Sequence, residues 1–166
     1  VLAATTINTA ANVPVEVTGT VSAADANTIA KATDGKVTAT VAAGTAASLK
    51  AALTDVTATD ALKLKVTGTA TVADLLALHG KTSIPVDAKS VTAITGTAAE
   101  FVELAKITTF VDLSSTVAVT VIGAIDATAL NTIAGETFGK VTATVEGSAT
   151  ALQALTTAST DAITVK

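Results

Sequence analysis

The sequence predicts an α/β fold, a right-handed β/α solenoid of the leucine-rich-repeat type. One parallel sheet would be backed by a row of short helices, in about six repeats. Two observations predict this class. Short runs that alternate Val, Ala or Leu with Thr recur at starts about 22 to 29 residues apart, and each run is followed by a helix-capping residue. Strand–helix–parallel strand connections are almost always right-handed, which sets the expected hand of the coil.

Seven strands are predicted from alternation with a period of two. In the run VTATV, Val37, Ala39 and Val41 share one face, while Thr38 and Thr40 share the other. Buried parallel strands are usually continuously apolar, so this alternation predicts one open or partner-binding face. The predicted strands are residues 15–20, 37–41, 62–67, 91–94, 117–121, 141–145 and 163–166. The predicted outward residues are Glu16, Thr18, Thr38, Thr40, Lys63, Lys65, Thr92, Ile94, Ala118, Thr120, Thr142, Thr144, Thr164 and Lys166.

A short helix is predicted after each of the first six strands. The predicted N-caps are Ser22, Thr45, Thr71, Thr97, Asp126 and Ser148, all residue types whose side chains accept backbone N–H bonds. Apolar pairs follow each cap at spacings that share a helical face. These pairs are Ala26 and Ile29, Leu49 and Ala52, Leu75 and Leu78, Phe101 and Leu104, Leu130 and Ile133, and Leu152 and Leu155. Helices this short need tertiary packing, so we expect these pairs to be buried.

A turn with an acidic residue is predicted to close each repeat. The residues are Asp34, Asp60, Asp87, Asp112, Glu136 and Asp161. The longest turns, residues 79–90 and 107–116, contain apolar runs at 84–86 and 110–113, which predict extra turns or short strands. Residues 1–12 are interpreted as a leading segment or the remnant of a preceding repeat. The absence of any linker predicts a single repeat domain over residues 1–166, a segment of a longer chain.

The composition argues against several classes of function. The net charge is −4, and all ten basic residues are lysines, so the chain has no arginine-rich or basic–aromatic footprint for nucleic acid. No apolar run is long enough to predict a membrane span. His79 is the only histidine and there is no cysteine, so neither a zinc site nor a catalytic triad can be assembled. We therefore expect a protein that is not an enzyme; the alternative is an enzyme of which this solenoid is one piece, with catalytic groups from outside this chain. We interpret His79 as a C-terminal capping residue of its helix.

Two ligand-binding alternatives remain open at this point. Stacked acidic turns could offer carboxylates to calcium, through Asp34, Asp60, Asp87, Asp112 and Asp161. The Thr-rich face could bind ice or a glycan, or could contact a partner protein. Its residues are Thr18, Thr38, Thr40, Thr92, Thr120, Thr142 and Thr144. Thr is also a good strand former, and Asp is common in turns for local hydrogen bonding, so both patterns have structural explanations.

The motifs V-T-A-T-V, V-T-G-T and T-x-x-x-L-x-x-L cover about residues 13–166. They resemble the Ala/Thr/Val-rich repeats of very large secreted bacterial surface proteins, such as cyanobacterial-type adhesins and S-layer-like proteins. The resemblance implies an extracellular, cell-surface location and a structural or adhesive role, and it implies no catalytic residues. Because Ile163 and Val165 continue the inward pattern without a covering repeat, we expect self-association or contact with neighbouring repeats.

Overall fold

The computed structural model describes residues 12–137 and 139–166, in which strands and helices alternate. The strands are β1 Val15–Val21, β2 Val37–Val41, β3 Ala61–Lys63, β4 Lys65–Thr71, β5 Val86–Thr97, β6 Val111–Leu113, β7 Ala118–Ile125, β8 Val141–Val145 and β9 Ala162–Val165. The helices are α1 Ala23–Lys31, α2 Ala46–Ala52, α3 Val72–His79, α4 Ala98–Ala105, α5 Ala127–Gly135 and α6 Ala149–Leu152. The predicted leading segment, except for Asn12, lies outside the described residues.

Parallel pairing joins the neighbouring strands of each sheet among the described residues, which confirms the predicted α/β class. The prediction of a single parallel sheet is wrong, because the ladder is interrupted at Leu64 and the strands form two sheets. One sheet has the order β1-β2-β3, and the other has the order β4-β5-β7-β8-β9, with β6 beside β5. A parallel bridge between Gly44 and Val66 links the end of β2 to β4 across the two sheets. Within each sheet most consecutive strands are paired, except that β7 pairs with β5 and not with β6.

The single strand predicted for residues 62–67 is wrong, because the chain changes partner at Leu64. β3 pairs with β2, and Leu64 interrupts the ladder before β4 begins. The Leu64 carbonyl accepts a hydrogen bond from the Asp87 amide at 3.0 Å, and its side chain is 1% exposed. This residue anchors the next turn instead of continuing the ladder with β2.

The two longest turns were predicted to contain extra turns or short strands, and each apolar run is partly in a strand. Val86 of the first run begins β5, and residues 111–113 of the second run form β6. Val86, Asp87 and Ala88 at the start of β5 pair with β6, whereas its later residues pair with β7. The predicted strand 91–94 is therefore only the middle of a strand of 12 residues. β5 is long because it serves two partners in succession along one edge.

All six predicted N-caps are confirmed. Each capping side chain accepts a hydrogen bond from the backbone N–H three residues later, and Thr97 with Glu100 completes a reciprocal capping box. The backbone N–H groups in the first turn of a helix have no partner within the helix. A Ser, Thr or Asp side chain just before the helix accepts one of these hydrogen bonds and so stabilises the helix start. The caps thus mark the junction of each strand with its helix.

The predicted faces are correct for the two VTATV strands and wrong at one position in β5. Val37, Ala39, Val141 and Ala143 are buried in the core. Ile94 was predicted to point outward, yet it is 3% exposed. The pairing of β4 with β5 moves from Gly68–Val91 to Thr69–Ala93, leaving Thr92 as an extra residue that reverses the alternation beyond it.

Burial of the last predicted helix pair is also wrong. Leu152 and Leu155 are only half-buried, whereas the equivalent Leu75 and Leu78 of α3 are fully buried. α3 has α2 on one side and α4 on the other. No helix of the described residues follows α6, so one side of it stays open.

Gly35 lies where two neighbouring turns touch, which makes it a sensitive position. A Cβ added at Gly35 would collide with the Val13 carbonyl, whose oxygen also accepts a hydrogen bond from the Thr33 hydroxyl. We expect Gly35→Ala to lower the free energy of unfolding by about 1–3 kcal/mol, measured by denaturant melts, because the backbone must shift. Gly135→Ala is the control, since a Cβ there meets nothing within 4 Å. Equal melts for both variants would contradict this close contact.

Candidate functional site

The Thr-rich face divides into two patches on the sheet. The first contains Thr38 and Thr40 of β2, with Thr40 between Thr20 of β1 and Lys63 of β3. The second lies on β7, β8 and β9, where Thr120 pairs with Thr142 and Thr144 pairs with Thr164. These pairs are direct neighbours along the ladder, so hydroxyl and methyl groups of adjacent strands lie side by side there.

The two remaining predicted face residues, Thr18 and Thr92, lie at irregularities of the sheet. Thr18 falls where the pairing of β1 with β2 shifts, and the Thr92 hydroxyl donates to the Gly68 carbonyl at 3.3 Å. Glycines with positive φ mark three such shifts, at Gly19, Gly68 and Gly123. With exposed Lys63 and Lys65 between the patches, the face is not one periodic array of threonines.

Asp60 is a buried carboxylate that ties one turn to the strand of the preceding unit. Its Oδ1 accepts the Val37 amide at 2.8 Å, and its Oδ2 accepts the Thr57 amide at 2.9 Å. Asp161 repeats this arrangement, accepting the Val141 amide at 2.8 Å and the Ala158 amide at 2.8 Å. Both carboxylates therefore align the first residue of a VTATV strand. Two of the five aspartates predicted as possible calcium ligands thus have a structural role.

The other acidic turn residues are closer to solvent. Asp87 and Asp112 are partners in the β5–β6 pairing, and Lys89 bonds to Asp112 at 2.8 Å, which raises the pKa of the Lys89 ammonium group. Asp34 is exposed. Within residues 12–137 and 139–166, no group of three or more His, Asp or Glu side chains is placed to hold a metal ion. Of the five aspartates predicted as calcium ligands, only Asp87 and Asp112 are neighbours in the structure.

Polar side chains on the helix side connect neighbouring units in a way that the sequence analysis did not identify. The Asn27 amide donates to Asp55 at 2.8 Å and accepts from the Asp55 N–H at 2.7 Å. The Asn27 hydrogen bond keeps the pKa of the Asp55 carboxyl below its ordinary value. Asn131 bridges in the same way to the Ala154 carbonyl and the Thr156 amide. The segment NTIA, present at both positions, was the available signal.

His79 lies in the last turn of α3 and packs against Phe110. Its ring lies 5.1 Å from the ring of Phe110, and Nδ1 is buried without a hydrogen-bond partner among the described residues. α3 ends at His79 and its C-cap is Gly80, whose amide donates to the Leu76 carbonyl. The interpretation of His79 as the capping residue is therefore wrong. The contact that the structure shows for the His79 ring is packing against Phe110.

A cavity of about 240 Å³ lies between α4 and α5 and was not expected from the sequence. The cavity has apolar walls formed by Ile94, Phe101, Leu104 and Val119, and Thr137 also lines it. Phe138, the next residue, lies outside the described part of the chain. We therefore assign no ligand to this cavity.

The edge strand β1 of the first sheet and the edge strand β9 of the second sheet are the remaining candidate interaction surfaces. β1 pairs only with β2, and β9 pairs only with β8, in the part of the chain that the structure describes. Val165 in β9 is 54% exposed although it follows the apolar alternation. Each end strand thus presents one ladder side that no described strand covers.

Comparison with protein-family models, with curated proteins and with solved structures finds no match. Among the described residues, no helix has the length and apolar character needed to cross a membrane.

Proposed function

We propose that this chain is a right-handed β/α solenoid segment that serves as a non-enzymatic structural or adhesive module of an extracellular surface protein. It would act as a rigid spacer or as a self-assembling unit. One observation carries the proposal: parallel strands stack in two sheets that a bridge between Gly44 and Val66 links, and the end strands β1 and β9 each have a ladder side without a partner among the described residues. A stack of this kind can be extended by another chain without changing its own packing.

Contacts between neighbouring units support the role of rigid spacer. The Asp60 and Asp161 carboxylates join turns to strands, while the Asn27 and Asn131 amides join a helix to the turn that follows the next helix. Lys50 of α2 reaches Asp74 of α3 at 2.6 Å, and this bond lowers the pKa of the Asp74 carboxyl. Nearest-neighbour contacts of this type make a stacked protein resist bending at each junction.

The open strand edges support the role of self-assembling unit. An edge strand presents backbone donors and acceptors that pair readily with another strand. β9 combines such an edge with the exposed Val165 side chain and with half-buried Ile163. Association would satisfy the backbone groups and remove apolar surface from water at the same time.

Sedimentation velocity over a wide range of protein concentration tests this proposal. We expect the weight-average mass of the 166-residue chain to rise with concentration, and Thr142→Ala on the outer face to behave like the wild type. A strictly monomeric species at every concentration would contradict self-assembly.

A further inference from the structure

A strand edge inside the molecule resembles the C-terminal edge and is covered by another segment of the chain. Residues 60–65 read DALKLK and residues 161–166 read DAITVK. Both segments pair with a VTATV strand: Ala61 with Thr38 and Leu62 with Ala39, against Ala162 with Thr142 and Ile163 with Ala143. With the matching carboxylates of Asp60 and Asp161, the two edges share the pairing of their first three strand residues. They differ at the fourth, because Val165 pairs with Val145 whereas Leu64 has no partner in β2.

The internal edge is covered by residues 83–87, which read SIPVD. The Ser83 amide donates to the Asp60 carbonyl at 2.6 Å, and the Asp87 amide donates to the Leu64 carbonyl at 3.0 Å. Leu62 and Leu64 are fully buried beneath this contact, whereas Val165, at the position equivalent to Leu64, is mostly exposed. The C-terminal edge thus lacks a covering segment of this kind among the described residues.

A segment of the same type begins the described chain. Residues 12–16 read NVPVE and match SIPVD in having a small polar residue, a β-branched residue, Pro, Val and an acidic residue. The two are also held alike on their other side, since the Val15 amide donates to the Lys36 carbonyl and the Val86 amide donates to the Phe110 carbonyl. Asn12, Pro14 and Glu16 are exposed.

We propose that residues 12–16 of one copy bind along residues 161–166 of a second copy, in the register that residues 83–87 take on residues 60–65. This inference rests on the proposed self-assembly and assigns its contact. The Glu16 amide then donates to the Val165 carbonyl, as the Asp87 amide does to the Leu64 carbonyl. Lys65 and Asp87 are partners across the internal contact, so Glu16 lies opposite Lys166. Opposite charges in directly facing positions stabilise strand pairing.

The contact joins two different surfaces, so it does not close on itself in a dimer. A bound pair still presents one 161–166 edge at one end and one 12–16 segment at the other, each with a ladder side that has no strand partner among the described residues. A head-to-tail contact of this kind extends into a ring or an open filament. The parallel sheet would then run from one molecule into the next.

Cysteine cross-linking tests the register, because the chain has no native cysteine. Glu16→Cys in one copy and Lys166→Cys in another should form a disulfide-linked heterodimer on oxidation of the mixture. Glu16→Cys mixed with Ala162→Cys is the register control. Positions 162 and 166 are about 13 Å apart along a strand, and a disulfide needs Cα atoms within about 7 Å.

Two lysine substitutions test the surface itself by sedimentation. Val165→Lys should weaken association at least about tenfold, because the contact would bury an unpaired charge. Thr164→Lys should leave association within about threefold, since the equivalent internal residue is the exposed Lys63. Val165 is already mostly exposed, so both variants should fold like the wild type.

The outcomes separate this inference from the proposed function. A cross-link between positions 16 and 166, together with weaker association of the Val165→Lys variant, supports the proposed register of residues 12–16 on residues 161–166. Association with cross-linking at Ala162, or with no effect of Val165→Lys, overturns this contact and leaves self-assembly standing. A wild-type chain that stays monomeric overturns both.

Discussion

Replacing Asp60 with alanine is expected to lower the free energy of unfolding by about 2–4 kcal/mol. The side chain is 4% exposed, and both carboxylate oxygens accept backbone amides, from Val37 and from Thr57. Removing the acceptor leaves these amides without partners in places that water reaches poorly. The loss should be visible as a lower midpoint in urea or guanidinium melts followed by circular dichroism.

Asp34→Ala is the matched control for Asp60→Ala. Asp34 is also an acidic turn residue, but it is exposed, so its loss should stay within about 0.5 kcal/mol. Asp60→Asn keeps one oxygen acceptor and should lie between the two. If Asp60→Ala and Asp34→Ala melt together, the structural role assigned to the buried carboxylate is wrong.

Leu130→Ala is expected to cost about 2–5 kcal/mol, the range for a fully buried leucine truncated to alanine. Leu130 of α5 is 0% exposed and faces the core. Leu152→Ala, in the same position of α6, should cost clearly less because Leu152 is half-buried. Denaturant melts at a protein concentration low enough to keep the chain dissociated give the comparison.

Thr142→Ala serves as the reference for the outer face of the sheet. Thr142 is exposed, and its substitution should change the free energy of unfolding by no more than about 0.5 kcal/mol. Equal losses for Leu130→Ala and Thr142→Ala would mean that the core and outer faces have been exchanged.

The features that the sequence predicts best are those determined by nearby residues. A helix cap needs only a suitable side chain and the amide three residues later, and all six caps, from Ser22 to Ser148, were found at the predicted residues. The faces of VTATV follow from an alternation inside five residues, as Val37 and Val141 show. Local rules are sufficient at these places.

The wrong predictions concern residues whose environment depends on a distant segment. Leu64 leaves the ladder because Asp87 bonds to its carbonyl, and Ile94 turns inward because Thr92 has no opposite residue in β4. Neither partner can be inferred from the residues around the break. Leu152 is half-buried for a similar reason, since its burial depends on what lies beyond α6.

The candidate interaction surfaces also combine features set by nearby residues with features set by distant segments. The sequence predicted that Thr142 and Thr144 lie on an outer face and that Ile163 and Val165 leave an edge to be covered. It did not predict that the equivalent of this edge is covered inside the molecule, because that contact is made by hydrogen bonds between segments 23 residues apart, as between Ser83 and Asp60. Comparing DALKLK with DAITVK becomes informative only once the covering segment is seen.

Amide hydrogen exchange at the two strand edges is the most direct test that the ends of this sheet bind one another. The Glu16 amide should exchange rapidly in dilute protein and become protected as concentration rises. The Asp87 amide, already bonded to the Leu64 carbonyl, should be protected at every concentration. If Glu16 exchanges at the same rapid rate in dilute and concentrated protein, the two ends do not pair and the proposed head-to-tail contact is wrong.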